Sequence, residues 1–118
     1  MKAWKDLVAE AKQEVTLLQV RDVQAKMELG EAFVLLDVRE PDEYQKGHIP
    51  NGVNVPRGVL EMTVEDNLKD PTTWIVLHCA GGGRSAVAAQ SLKRMGYQNV
   101  ASMEGGMRAW TQAGFPVV

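Results

Sequence analysis

The chain has one cysteine and two histidines in 118 residues. A single cysteine excludes an internal disulfide, and with it a disulfide-stapled secreted module. One thiol and two imidazoles also exclude a multi-cysteine zinc site, and no structural metal site is expected. Neither sign of charge is in excess: 13 Lys and Arg face 15 Asp and Glu, for a net charge of −2. That balance leaves no electrostatic footprint for nucleic acid. No stretch approaches the roughly 18 apolar residues needed to span a membrane. Met1-Lys2-Ala3-Trp4-Lys5-Asp6 carries no apolar signal core, which favours the cytoplasm, where a free thiol stays reduced. Repeats, low-complexity tracts and long linkers are missing too. What is present is ordinary for one globular domain, with 45% hydrophobic and 24% charged residues, at a length that suits one domain and not two.

Trp4, Leu7, Val8 and Ala11 fall at i, i+3, i+4 and i+7, the spacing of one helix face. This predicts an N-terminal amphipathic helix with a core-facing stripe; packing on its own domain or on a second chain would both satisfy it. A second helix is expected from about Val20 to Leu29, with Val20, Val23 and Met27 inward and Gly30 as its stop. The run from Ala32 to Val38 lacks polar alternation, which suits a strand buried on both faces. A short helix opens at Pro41, a further strand covers Gly52 to Pro56, and Arg57 to about Asn67 reads as helical or irregular. Trp74 to His78 is the next buried strand, followed by a helix from Ser85 or Ala86 to about Met95, a last strand from Asn99 to Met103, and a final helix holding Met107 and Trp110. Strands alternating with helices predict an α/β domain with a mainly parallel sheet and helices on both faces.

The chemistry concentrates in Cys79-Ala80-Gly81-Gly82-Gly83-Arg84-Ser85. A strand ends at the cysteine, and three glycines let the chain turn through positive φ. Such a turn can aim successive N–H groups inward as an anion cradle. The following helix presents its positive dipole end, and Arg84 adds a permanent charge. Each feature favours thiolate over thiol. His78 adjoins Cys79, but neighbours on a strand point to opposite faces, so packing is expected of it rather than a Cys-His dyad. His48 reads as a loop-fixing residue. Asp37 and Arg39 flank Val38 at a strand end; they form a structural ion pair with Glu43 or a neighbour, or they orient the active loop. Arg57 follows a strand end and is either part of a substrate rim for an anionic donor or a solvated surface arginine.

These residues resemble a known family. Cys79 to Ser85 looks like the active-site loop of rhodanese-like sulfurtransferases. The stretch from Asp37-Val38-Arg39 through Glu43-Tyr44 to Gly47-His48-Ile49 is similar to the family's first signature, and Glu104-Gly105-Gly106-Met107-Arg108-Ala109-Trp110 resembles its closing one. The three matches occur in the family's order. Asn51-Gly52 departs from the family's usual Gly-Ala. With flanking elements the resemblance covers residues 16–118, leaving 1–15 as a helical extension. It implies a five-stranded, mostly parallel sheet with helices on both faces. It also implies a thiosulfate sulfurtransferase type of reaction. Cys79 would take a sulfane sulfur from a small-molecule donor such as thiosulfate. A persulfide would form, held by the N–H groups of residues 80–85, and pass its outer sulfur to a thiol, cyanide or a protein partner. No metal or organic cofactor is implied.

Two other functions compete. Phosphatases and arsenate reductases also use a cysteine, a backbone cradle and an arginine, but related phosphatases place five residues between cysteine and arginine. Here four intervene, Ala80 to Gly83, so the ring is expected to fit a sulfur atom better than a phosphoryl group. A non-catalytic binding module is the second rival; such domains often lose the cysteine, which this chain keeps.

Overall fold

The computed structural model describes residues 1–118. Five strands form one sheet: β1 (Thr16–Leu18), β2 (Val34–Asp37), β3 (Val53–Asn54), β4 (Trp74–His78) and β5 (Asn99–Met103). Their order is β1-β5-β4-β2-β3, and every pairing is parallel. The sheet is thus parallel throughout rather than mainly so. Six helices accompany the strands, α2 to α5 between them and α1 and α6 at the ends: α1 (Trp4–Glu14), α2 (Val20–Glu28), α3 (Pro41–Gln45), α4 (Leu60–Asn67), α5 (Gly83–Arg94) and α6 (Gly106–Gln112). A 3-10 turn, Arg57–Val59, leads into α4, which resolves the segment that the sequence leaves as helical or irregular.

Parallel strands need covering on both faces, and strand parity supplies two cores. Leu36, Val38, Ile75, Leu77, Cys79 and Val100 pack with Leu60 and Val64 of α4 and with Ala88, Ala89 and Leu92 of α5. Leu35, Val76 and Met103 face the other way, against Val23 of α2 and Met107 and Trp110 of α6. The alanines of α5 let that helix lie close to the central strands. Its interior therefore fixes its N-terminus beside the end of β4.

Two elements differ from the sequence reading. The edge strand β1 has only three residues, too few to declare a strand by pattern; it exists because Thr16, Leu17 and Leu18 pair with Ala101, Ser102 and Met103 of β5. The α1 stripe is only partly inward. Ala11 is fully buried, but Trp4 and Leu7 remain 53% and 42% exposed. The helix lies along the outside of α5, so only residues directly against α5 are covered. Lys12 pairs with Glu104 at 3.0 Å and Lys93 Nζ donates to the Glu14 carbonyl at 2.6 Å, which clasp α1 in place. No helix is long and apolar enough to cross a membrane.

The first signature is a buried brace. Asp37 is fully buried and Arg39 nearly so. Arg39 Nη2 donates to Asp37 Oδ2 at 2.7 Å and to the Gly47 carbonyl at 2.8 Å. Asn54 Nδ2 donates to the carbonyls of both Asp37 and Arg39. The ion pair therefore forms within the signature rather than with Glu43, and it touches the 40–47 segment, not the Cys79 loop. Asn51 adopts φ 69, a left-handed conformation that asparagine tolerates better than most residues, which accounts for the departure from glycine there. Removing one partner of a buried pair costs about 3–5 kcal/mol. Asp37→Ala is accordingly expected to lower the unfolding free energy by that order, and the urea midpoint with it; an unchanged midpoint would contradict the brace.

Candidate active site

Cys79 follows β4, the middle strand, between β2 and β5. At this point successive connections leave in opposite directions, and open parallel sheets form crevices there. Its thiol is almost fully buried and sits under the start of α5. Gly82 N–H donates to Cys79 Sγ at 3.1 Å and Ser85 N–H at 3.4 Å. The helix starts at Gly83, two residues earlier than the spacing suggests, with Gly82 as its N-cap at φ 105. That conformation belongs to glycine, and of the three loop glycines only Gly82 adopts it. Gly83 meets α1 instead: a Cβ there would lie 3.5 Å from Val8 Cγ2 and 3.6 Å from Trp4 Cζ2.

Burial pushes the Cys79 thiol up, yet the net shift is downward. The Ser85 hydroxyl, the Ser85 N–H and the N–H groups of Gly82 and Gly81 outweigh it, in that order. The magnitudes make this reasonable. A hydrogen bond to a charged group contributes about 1.5–3 kcal/mol, so several together offset the several kcal/mol of burying one ion.

Arg84 makes no hydrogen bond to the thiol, although its charge and that of a Cys79 thiolate still attract. Its Nη1 and Nη2 donate to Glu43 Oε1 and Oε2 at 2.8 and 3.1 Å. The hydrogen bond from Arg84 is the main reason the Glu43 carboxyl is held down at about 2. The N–H donors at Cys79 Sγ are those of the neutral Gly82 and Ser85, and the thiol lies 3.6 Å from Ser85 Oγ. Arg57, the candidate rim residue, gives both its Nη1 contacts to Glu61 at 2.9 Å. His78 is fully buried on the face opposite Cys79, with Nε2 3.7 Å from Asp37 Oδ2. Burial, ahead of the opposing charge of Asp37, lowers its pKa, so it is a neutral packed ring and not a catalytic partner. His48 fixes its loop: Nδ1 donates to the Tyr44 carbonyl at 3.0 Å and the ring stacks on Tyr44.

Three contributors escape the sequence reading. Ser102 of β5 is fully buried, with Oγ 2.8 Å from Ser85 Oγ. Its signal was a polar residue sharing the parity of Val100 on a buried strand. Arg108 lies over Gly81, where a Cβ would be 3.1 Å from its Nη1; it is exposed and forms no ion pair. The third is the start of α6. Met107 N–H donates to the Cys79 carbonyl at 2.8 Å and Arg108 N–H to the Ala80 carbonyl at 3.1 Å. A Cβ at Gly106 would fall 2.3 Å from the Cys79 oxygen, so the closing signature needs glycine there to reach the loop at all.

The pattern of the rhodanese-like domain matches residues 19–113. The chain belongs to the rhodanese-like domain family. A sulfurtransferase of Allochromatium vinosum is 33% identical over 88 residues, 75% of this chain and 80% of that protein. A Bacillus subtilis protein, provisionally named as a sulfur carrier, is 37% identical over 86 residues. This alignment covers 73% of the chain and 45% of the relative, so the chain spans about half the length of that protein. Among solved structures, a Rhodopseudomonas palustris protein of unknown function, described as a possible tyrosine phosphatase, superposes with a TM-score of 0.93 at 32% identity. The superposition covers 100% of this chain and 96% of that one. The rhodanese-like fold thus accounts for all three signatures: a brace, a thiol cradle and the glycine contact that shapes it.

Two outcomes test this geometry. Gly106→Ala is expected to part α6 from the loop and to raise the pH midpoint of Cys79 alkylation; an unaltered midpoint would show that the contact does not shape the cradle. The Glu43–Arg84 pair has a depressed carboxylate pKa, so its stabilisation is present above the ordinary 4.5 and lost as pH falls through about 2. Acid unfolding of Glu43→Gln and the parent should therefore converge near the lower value and separate above the upper one.

Proposed function

We propose that this domain is a sulfurtransferase that carries sulfane sulfur on Cys79 as a persulfide. One observation carries the reading: a buried thiol at the end of β4 that receives N–H donors from Gly82 at 3.1 Å and Ser85 at 3.4 Å. Such a cradle favours thiolate, the nucleophilic form. The thiolate attacks the outer sulfur of a donor such as thiosulfate. A sulfur–sulfur bond forms to Cys79 as the donor's own breaks, and sulfite leaves with the electron pair. A thiol acceptor or cyanide then attacks the outer sulfur and Cys79 leaves as thiolate. This is covalent catalysis in two half-reactions, with ping-pong kinetics. The sulfur-carrier and sulfurtransferase names of the relatives support both halves, and Arg108 over Gly81 supports an anionic donor. A single free thiol fits a reducing compartment.

The description of the Rhodopseudomonas structure raises phosphoryl transfer as a second reading. Two features weigh against it. Only four residues separate Cys79 from Arg84, and Arg84 is engaged by Glu43 through both terminal nitrogens.

The test is a donor and acceptor panel with mass spectrometry of the protein. Thiosulfate is expected to add one sulfur to the parent, removable by a thiol, and none to Cys79→Ser. Turnover should fall to background in Cys79→Ser with the fold intact. Full activity in that variant would refute the nucleophile, and hydrolysis of p-nitrophenyl phosphate dependent on Cys79 would favour the phosphatase.

A further inference from the structure

The protons around Cys79 can be assigned one by one. Ser102 Oγ is fully buried, and its one side-chain hydrogen-bonding neighbour is Ser85 Oγ at 2.8 Å. A buried hydroxyl gives its proton to an acceptor when one is within reach. Ser102 therefore donates to Ser85. Ser85 Oγ has one proton and two other neighbours, the Gly82 carbonyl at 3.3 Å and Cys79 Sγ at 3.6 Å. With Cys79 as a thiol, its S–H donates to Ser85 Oγ and the Ser85 proton rests on the Gly82 carbonyl. With Cys79 as a thiolate, the sulfur has no proton to give and becomes the stronger acceptor. The Ser85 O–H then rotates to Sγ. Throughout, Ser102 keeps its own proton on Ser85, so Ser85 never has to donate toward β5.

We propose that Ser102 is a positioning residue: its hydroxyl holds Ser85 as an acceptor on the β5 side and leaves the Ser85 proton free to turn onto Cys79 Sγ. The rotation itself transfers no proton; the proton that Cys79 gives up on becoming thiolate passes to solvent, and Ser85 and Ser102 each keep their own. The inference rests on the reading of Cys79 as the nucleophile. Of the charged groups around the loop, Arg84 is held by Glu43 and Arg108 lies outside Gly81; neither donates to Ser85 or Ser102.

The decisive comparison is Ser102→Thr against Ser102→Val, two side chains of one shape that differ in the hydroxyl. Cys79 alkylation by iodoacetamide is followed against pH, beside persulfide formation from thiosulfate. Ser102→Thr should keep the parent profile. Ser102→Val should move the midpoint upward and slow alkylation at neutral pH about three- to fivefold, the scale of one hydrogen bond between neutral groups. Adding Ser85→Ala to Ser102→Val should raise the midpoint further, because it removes the hydroxyl that itself meets Sγ. Equal profiles for the Thr and Val variants, with the parent's midpoint still depressed, would overturn the role of Ser102 and leave the nucleophile standing. A parent protein with neither a depressed midpoint nor a persulfide would overturn both.

Discussion

The inward N–H groups of the Cys79 loop depend on where its carbonyls go. A peptide unit is planar and trans, so its C=O and N–H point in opposite directions. The Ala80 carbonyl is bound by Arg108 N–H, which turns the Gly81 N–H of the same peptide toward the thiol, where it helps to lower the Cys79 pKa. The Cys79 carbonyl is likewise held by Met107 N–H. This anchoring needs α6 to approach within the reach of a hydrogen bond, and Gly106 is the residue that permits it. A contact more than twenty residues away in sequence thus shapes the cradle that the Gly-rich loop alone would leave free to turn either way.

Strand parity then divides the end of β4 into two chemical environments. Cys79 faces the start of α5, where its hydrogen-bond partners are the neutral Gly82 and Ser85, with Ser102 behind Ser85. His78 faces Asp37 and Arg39. The two sets share a backbone but no side-chain hydrogen bond. The ion pair holds β2 to the 40–47 segment through Gly47, and that segment carries Glu43, the partner of Arg84. The first signature therefore acts on the site at one remove, by fixing the carboxylate that fixes the arginine.

Much of this was legible in the sequence, because local chemistry dominates in those places. Cys79, the glycines and the helix start lie in one contiguous run, and the buried strands β2 and β4 declare themselves by apolar runs. The opposite facing of His78 follows from period two alone. What the sequence withheld depends on partners distant along the chain. β1 becomes a strand only through β5. That Arg84 hydrogen-bonds Glu43, 41 positions earlier, shows only once the fold brings the two together. Ser102 looks like an ordinary strand residue until its parity places it behind Ser85.

Arg84 acts on Cys79 by charge alone, without a hydrogen bond, which bears on why neutral groups meet the sulfur directly. A guanidinium set against Cys79 would hold thiolate tightly, but binding the resting state as well as the transition state gains nothing in rate. A fully buried ion pair would also carry a large desolvation cost. On the proposed reaction, negative charge moves from Sγ to a leaving group and later returns. N–H dipoles directed at the loop's centre serve both positions, and one hydroxyl that can rotate serves the thiol, the thiolate and the persulfide in turn. The Glu43–Arg84 pair at the edge of the loop then supplies rigidity, while the donors that meet the reacting sulfur stay uncharged.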